Sequence, residues 1–117
     1  MKDEVLKVQR VVKRIRLEFE KKRVSKIKLK NLYFKYNPVI NVISFIKEAE
    51  KLFPKLNCGL TSVYLKNVLG GEVIQGKYGQ HKHTFLLLND QVVDITADQY
   101  GGPKVYIGEL RYPWSKQ

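Results

Sequence analysis

Cysteine is almost absent from this sequence. Cys58 is the only one in 117 residues, so no intrachain disulfide can form and a reducing, cytoplasmic setting is expected. Histidine is nearly as scarce, with two. One cysteine and two histidines cannot close a four-ligand structural zinc site without carboxylates, and no metal or other cofactor is expected. Long apolar runs are missing as well. No window reaches the roughly 18 uncharged residues that a membrane helix requires, and Lys2, Asp3, Glu4 and Lys7 have no apolar run behind them. Neither a transmembrane segment nor a secretory signal is therefore expected. Disorder and low complexity are excluded by 44% hydrophobic and 28% charged residues, an ordinary globular balance.

Acidic residues are in short supply too, 11 against 22 basic ones, for a net +11. The imbalance is local. Residues 1–30 hold twelve basic and four acidic residues, a net +8, while the rest of the chain carries +3. Length and charge together describe one α+β domain over 31–117 behind a basic helical arm over 1–30. Such an arm attracts an anionic partner, nucleic acid or an acidic protein, or it is simply a solvated helix face.

Val5, Val8, Val12, Ile15 and Phe19 recur at three- and four-residue steps, so residues 2–24 read as a helix. Ile27 and Leu29 alternate with lysines, a period of two that predicts a short strand or extended linker over 26–30, continued by 32–36. Asn37-Pro38 predicts a helix start, with Ile40, Ile43, Ile46, Ala49 and Phe53 as the buried stripe and Pro54 as the stop. A third helix is expected from Cys58, with Asn57 as its cap and Gly70-Gly71 as its exit. The period then changes to two. Strands are predicted over 72–75, 83–88, 91–95 and 105–107, with the tail over 111–117 peripheral. Helices followed by an antiparallel meander make an α+β chain.

One constellation carries chemistry. Cys58 opens a helix, where the dipole and free N–H groups favour a thiolate and can receive an oxyanion. A thiol needs a base, and a base needs a carboxylate to orient it. Asn89-Asp90 reads as a two-residue hairpin loop, which pairs Leu88 with Gln91 and sets Asp94 opposite Phe85. His83 is then on the face of Asp94 and diagonal to it, within side-chain reach, whereas His81 lies two residues farther off. His81 and His83 also form an H-x-H pair, but no second close-spaced ligand pair supports a metal site. Cys58 equally fits a small buried hydrophobe, and Asp94 a turn residue.

The segments Asn57-Cys58-Gly59-Leu60-Thr61-Ser62, Leu69-Gly70-Gly71-Glu72-Val73-Ile74, His83-Thr84-Phe85 and Val93-Asp94-Ile95-Thr96-Ala97-Asp98-Gln99-Tyr100 resemble the small bacterial YunG-like proteins. Their order is similar to that of papain-like and transglutaminase-like cysteine enzymes. The resemblance implies a papain-like or transglutaminase-like core and a catalytic triad of Cys58, His83 and Asp94. It places Thr96 and Gln99 at motif positions without assigned roles, and they join His81 as candidate site-lining residues. No glutamine stands in the several residues before the cysteine, where Leu52 and Phe53 are found, so the oxyanion hole is expected from the Cys58 backbone N–H, with Asn57 the only near amide. The expected function is acyl transfer by a cysteine nucleophile on an amide- or thioester-containing substrate, protein substrates included. A basic binding module and a catalytically inactive family member are the alternatives.

Overall fold

The structure, a computed structural model, describes residues 2–37 and 41–117. Four helices come first: α1 (Lys2–Glu20), α2 (Lys26–Tyr36), α3 (Val42–Leu52) and α4 (Cys58–Leu69). Strands β1 (Glu72–Tyr78), β2 (His81–Leu88), β3 (Gln91–Asp94), β4 (Tyr106–Glu109) and β5 (Trp114–Ser115) follow, with a 3-10 turn at Ala97–Tyr100. They form one antiparallel sheet in the order β4-β3-β2-β1-β5. The class is therefore α+β. No helix among the described residues is long and apolar enough to cross a membrane.

Alternation along the central strands sorts side chains to two faces. Leu86 and Val93 join Ile95 and the helices in the larger core, with Val12, Ile15 and Phe19 of α1, Leu29 and Tyr33 of α2, Val42, Ile46 and Ala49 of α3, and Leu60, Val63 and Leu65 of α4. Phe85, Leu87 and Val92 face the other way, onto Ala97 and Trp114. Residue 30, the last of the expected arm, lies within α2, and the second half of α1 shares the main core. Val5, placed in the α1 stripe by its spacing, is 52% exposed.

Three local expectations are corrected. Residues 26–36 are helical, not extended. Ser25 Oγ accepts from the Lys28 N–H at 3.2 Å and caps α2. Leu29 and Tyr33, four apart, are the buried pair, while Ile27 is 71% exposed, so the alternation was never a strand face. Asn37 ends α2 instead of starting α3, whose N-cap position is Asn41. Residues 38–40, including Ile40 of the expected stripe, lie outside the described residues, and Val42 is buried where Ile43 was expected to be. Finally, the tail is not peripheral. Trp114 and Ser115 pair with Tyr78 and Lys77, and the Trp114 ring is buried.

Candidate active site

The hairpin turns as its chemistry predicts. Asn89 and Asp90 both have positive φ, 50° and 64°, the two left-handed residues of a type I′ turn. Leu88 then pairs with Gln91 and Leu86 with Val93, where the β2–β3 ladder stops. His83 and Asp94 lie just past that end. The His83 Nε2–H donates to Asp94 Oδ2 at 2.6 Å, with both side chains fully or almost fully buried. His81 makes no such contact. It is exposed and stacks on Tyr100, ring centroids 4.3 Å apart and 7° from parallel.

Asp94 is held at both oxygens. Oδ2 also accepts from Trp114 Nε1–H at 2.8 Å. Oδ1 accepts from the Thr96 N–H at 2.9 Å and from the Thr96 hydroxyl at 3.3 Å. A buried carboxylate without such donors would be strongly penalised. Thr96 thus acquires a definite task, orienting Asp94. Trp114 is a member that sequence reading missed, because a two-residue strand in a tail carries no periodicity.

An ionised carboxylate only accepts hydrogen bonds, so Nε2 carries a proton toward Asp94 and Nδ1 is the nitrogen free to exchange one. Nδ1 is buried without a hydrogen-bond partner. Cys58 neighbours the imidazole closely enough for the two groups to shift each other's titration, although no hydrogen bond to Nδ1 is formed among the described residues. Burial pushes the Cys58 thiol up, but His83 and the Thr84 backbone outweigh it and leave the thiol below its ordinary value. Burial pulls His83 down, yet Asp94 and then Cys58 raise it to about 9. Thiolate and imidazolium thus stabilise each other. Tyr78 and Tyr100 wall the imidazole edge-to-face, with centroids at 6.1 and 5.4 Å. The Tyr100 phenol is pushed up by burial and then by the negative charge of Cys58 and Asp94.

The start of α4 fixes the cysteine. Leu56 occupies the left-handed region, φ 68°, at a cost of about 1 kcal/mol, and Asn57 stands at the N-cap position. Asn57 does not cap with its side chain, which corrects the expectation. Its buried Nδ2 donates to the carbonyls of Ala49 and Lys55, each at 2.8 Å. The last turn of α3 leaves carbonyls without helical partners; the amide serves one of them, Ala49, together with the Lys55 carbonyl in the connection to α4. Both amide hydrogens are thereby engaged, and none remains for an oxyanion. The Cys58 backbone N–H, in the first turn of α4, is among those with no intrahelical acceptor.

Two lobes of a cleft meet at Cys58, Gln75 and Thr84. One, about 500 Å³, also takes in His83, Lys77 and Lys82. The other, about 310 Å³, takes in Gly59, Tyr33, Tyr36, Gln99 and Tyr100. Both volumes fall within the usual range for small-ligand sites. Gln99 is half-buried, and its Nε2 is buried with no acceptor. A donor left so costs about 1–3 kcal/mol, an unusual feature beside a cleft.

The geometry can be set against known proteins. The family model described as YunG protein matches residues 51–112, more than half of the chain and every one of Cys58, His83, Asp94, Thr96 and Gln99. Trp114 and α1 fall outside the matched span. We found no match among curated proteins or among solved structures.

Proposed function

The chain belongs to the YunG family, and we propose that it is a cysteine-nucleophile acyl-transfer enzyme, acting as a peptidase, amidase, deamidase or acyltransferase on an amide or thioester. We assign its core to the papain-like and transglutaminase-like type. The observation that carries this reading is the His83 ring, tied through Nε2 to a fourfold-bonded Asp94 and offering a buried, unpartnered Nδ1 to the only cysteine.

In the proposed cycle the Cys58 thiolate attacks the substrate carbonyl carbon, while the thiol proton rests on His83 Nδ1. The carbonyl π electrons move onto oxygen, and the Cys58 backbone N–H and the Gln99 amide receive that oxyanion. The unpartnered Gln99 amide makes it the second donor, since Asn57 is engaged elsewhere. When the oxyanion collapses, the bond to the leaving amine or thiol breaks and His83 hands its proton to the departing group. The resulting thioester on Cys58 is attacked by water or by an acceptor nucleophile, whose proton passes to His83. Asp94 keeps its charge throughout and stabilises the imidazolium.

The test uses activated ester and thioester probes, with intact-mass detection of the adduct. Wild type should carry one acyl group on Cys58, and Cys58→Ser should carry none. Gln99→Ala should turn over about 10²–10³-fold more slowly, the usual loss on removing one oxyanion donor, while Cys58 alkylation, which forms no oxyanion, changes little. No acyl adduct on wild type, or an equal one on Cys58→Ser, would overturn the reading.

A further inference from the structure

We propose that Lys77 and Lys82 form an anion subsite at the mouth of the cleft, so that the preferred acyl substrate carries a carboxylate or phosphate a few bonds from its reacting carbonyl. The inference rests on the acyl-transfer reading and narrows its substrate class.

Lys77 and Lys82 are direct partners across the β1–β2 pair. Like charges in that position oppose each other and destabilise the sheet. Both side chains are exposed, and neither makes an ion pair among the described residues. Both line the lobe that contains Cys58 and His83, and no Asp or Glu lines that lobe.

Strand periodicity places the pair. Lys77 shares a face with Gln75, and Lys82 with Thr84, each one pleat repeat or about 7 Å along its strand. Gln75 and Thr84 are the residues that flank Cys58 in both lobes. The two ammonium groups therefore stand one repeat beyond the nucleophile, on its side of the sheet. The Cys58 thiolate offsets the His83 imidazolium, so the two lysines set the net charge of the lobe. A concave wall with two lysines and no Asp or Glu side chain, Gln117 being a further lining residue, focuses a positive potential, and an anionic substituent relieves the lysine–lysine repulsion.

The experiment compares alkylation of Cys58 by anionic iodoacetate and neutral iodoacetamide at pH 7 and low salt, relative to a cysteine peptide. Wild type should favour iodoacetate more than the peptide does. Lys77→Gln/Lys82→Gln should lower the iodoacetate-to-iodoacetamide ratio roughly fivefold to tenfold, the effect of two screened charges several ångströms away. Lys47→Gln/Lys51→Gln makes the same change of net charge on α3, away from this lobe, and should leave the ratio near wild type. High salt should shrink the preference. A second arm sets a succinyl thioester against the butyryl thioester of equal length, and an acidic peptide ester against its neutral counterpart. Preference in the first pair alone assigns a small-molecule substrate, and in the second alone an acidic peptide. Equal ratios in both double variants overturn the subsite while leaving acyl transfer standing. If Cys58 is inert to both reagents, acyl transfer fails. Succinate titration of Cys58→Ser, read by chemical shift at Lys77 and Lys82, then still decides the subsite: shifts confined to the lobe support it, and their absence overturns it.

Discussion

His83→Ala is expected to raise the midpoint of Cys58 alkylation and to cut the rate below pH 7 by about tenfold or more, one pKa unit being a tenfold change in thiolate fraction. The cause is the balance at the thiol. Burial opposes ionisation there, and His83 is the largest of the groups that overcome it. Without the imidazole, burial remains and only Thr84 pulls against it. Acyl transfer loses its proton shuttle as well, worth about 10²–10⁴-fold. In wild type both species needed for the reaction coexist from the lowered thiol midpoint up to about pH 9, where the imidazolium loses its proton. Turnover should be flat across that window and fall above it. Stability carries the same signature. The folded-state pKa of His83 lies above its unfolded value of about 6.5, so its contribution is complete below about pH 6.5 and disappears as pH rises through about 9. Iodoacetamide rates from pH 5 to 10 measure the first effect, and denaturant unfolding at the two ends of that range measures the second. His81→Ala is the internal control, since His81 stacks on Tyr100 outside the Asp94 contact. An unchanged rate profile in His83→Ala, or an equal shift in His81→Ala, would defeat the assignment.

What was legible in the sequence is what local chemistry determines. Asn89-Asp90 demands two positive-φ residues, a two-residue loop fixes the pairing, and the period of two then puts His83 and Asp94 on one face. The helix start at Cys58 is local in the same way. The residues that escaped are those whose partners are distant in the chain. Trp114 reaches Asp94 across 20 residues from a strand of two. An amide such as Asn57 can cap as an acceptor or bridge as a donor, and only the arrival of the Ala49 and Lys55 carbonyls decides which. Five residues of alternation over 26–30 fit a strand and a helix equally well, and the cap that Ser25 Oγ forms on the Lys28 N–H belongs to the helix. Charge counting failed in one place. It gathered all twelve cations of residues 1–30 into one basic arm, free to meet an anionic partner or solvent, but Arg16 is only 6% exposed.

Arg16 carries the second large expected effect. Arg16→Met should destabilise the fold by about 3–5 kcal/mol, the range for removing one partner of a buried pair. Its guanidinium grips Asp98 with Nη1 and Nη2 at 2.8 and 2.9 Å. Nη1 also donates to the Ile95 carbonyl at 2.8 Å, Nε to Glu20 at 2.7 Å, and the cation lies 4.7 Å from the centre of the Phe53 ring. The methionine chain can replace the packing but none of these four hydrogen bonds, so the Asp98 carboxylate is left without its cation in a largely buried place. Arg16→Lys should lose a large part of the same stability, because an ammonium cannot form the two-pronged contact. Arg16→Met/Asp98→Asn should recover part of the loss, since no unpaired charge remains. The pair has a second consequence. Ile95 and Asp98 bracket Thr96, and Asp98 immediately precedes Gln99, so α1 holds in place the segment that orients Asp94 and that, in the proposed cycle, supplies the Gln99 amide. Under conditions where Arg16→Met stays folded, turnover should therefore drop while the identity of the acylated residue does not change. Denaturant unfolding of the two single variants and the double variant measures the coupling. A loss below about 1 kcal/mol for Arg16→Met, the ordinary value of an exposed pair, would mean that α1 does not brace the site.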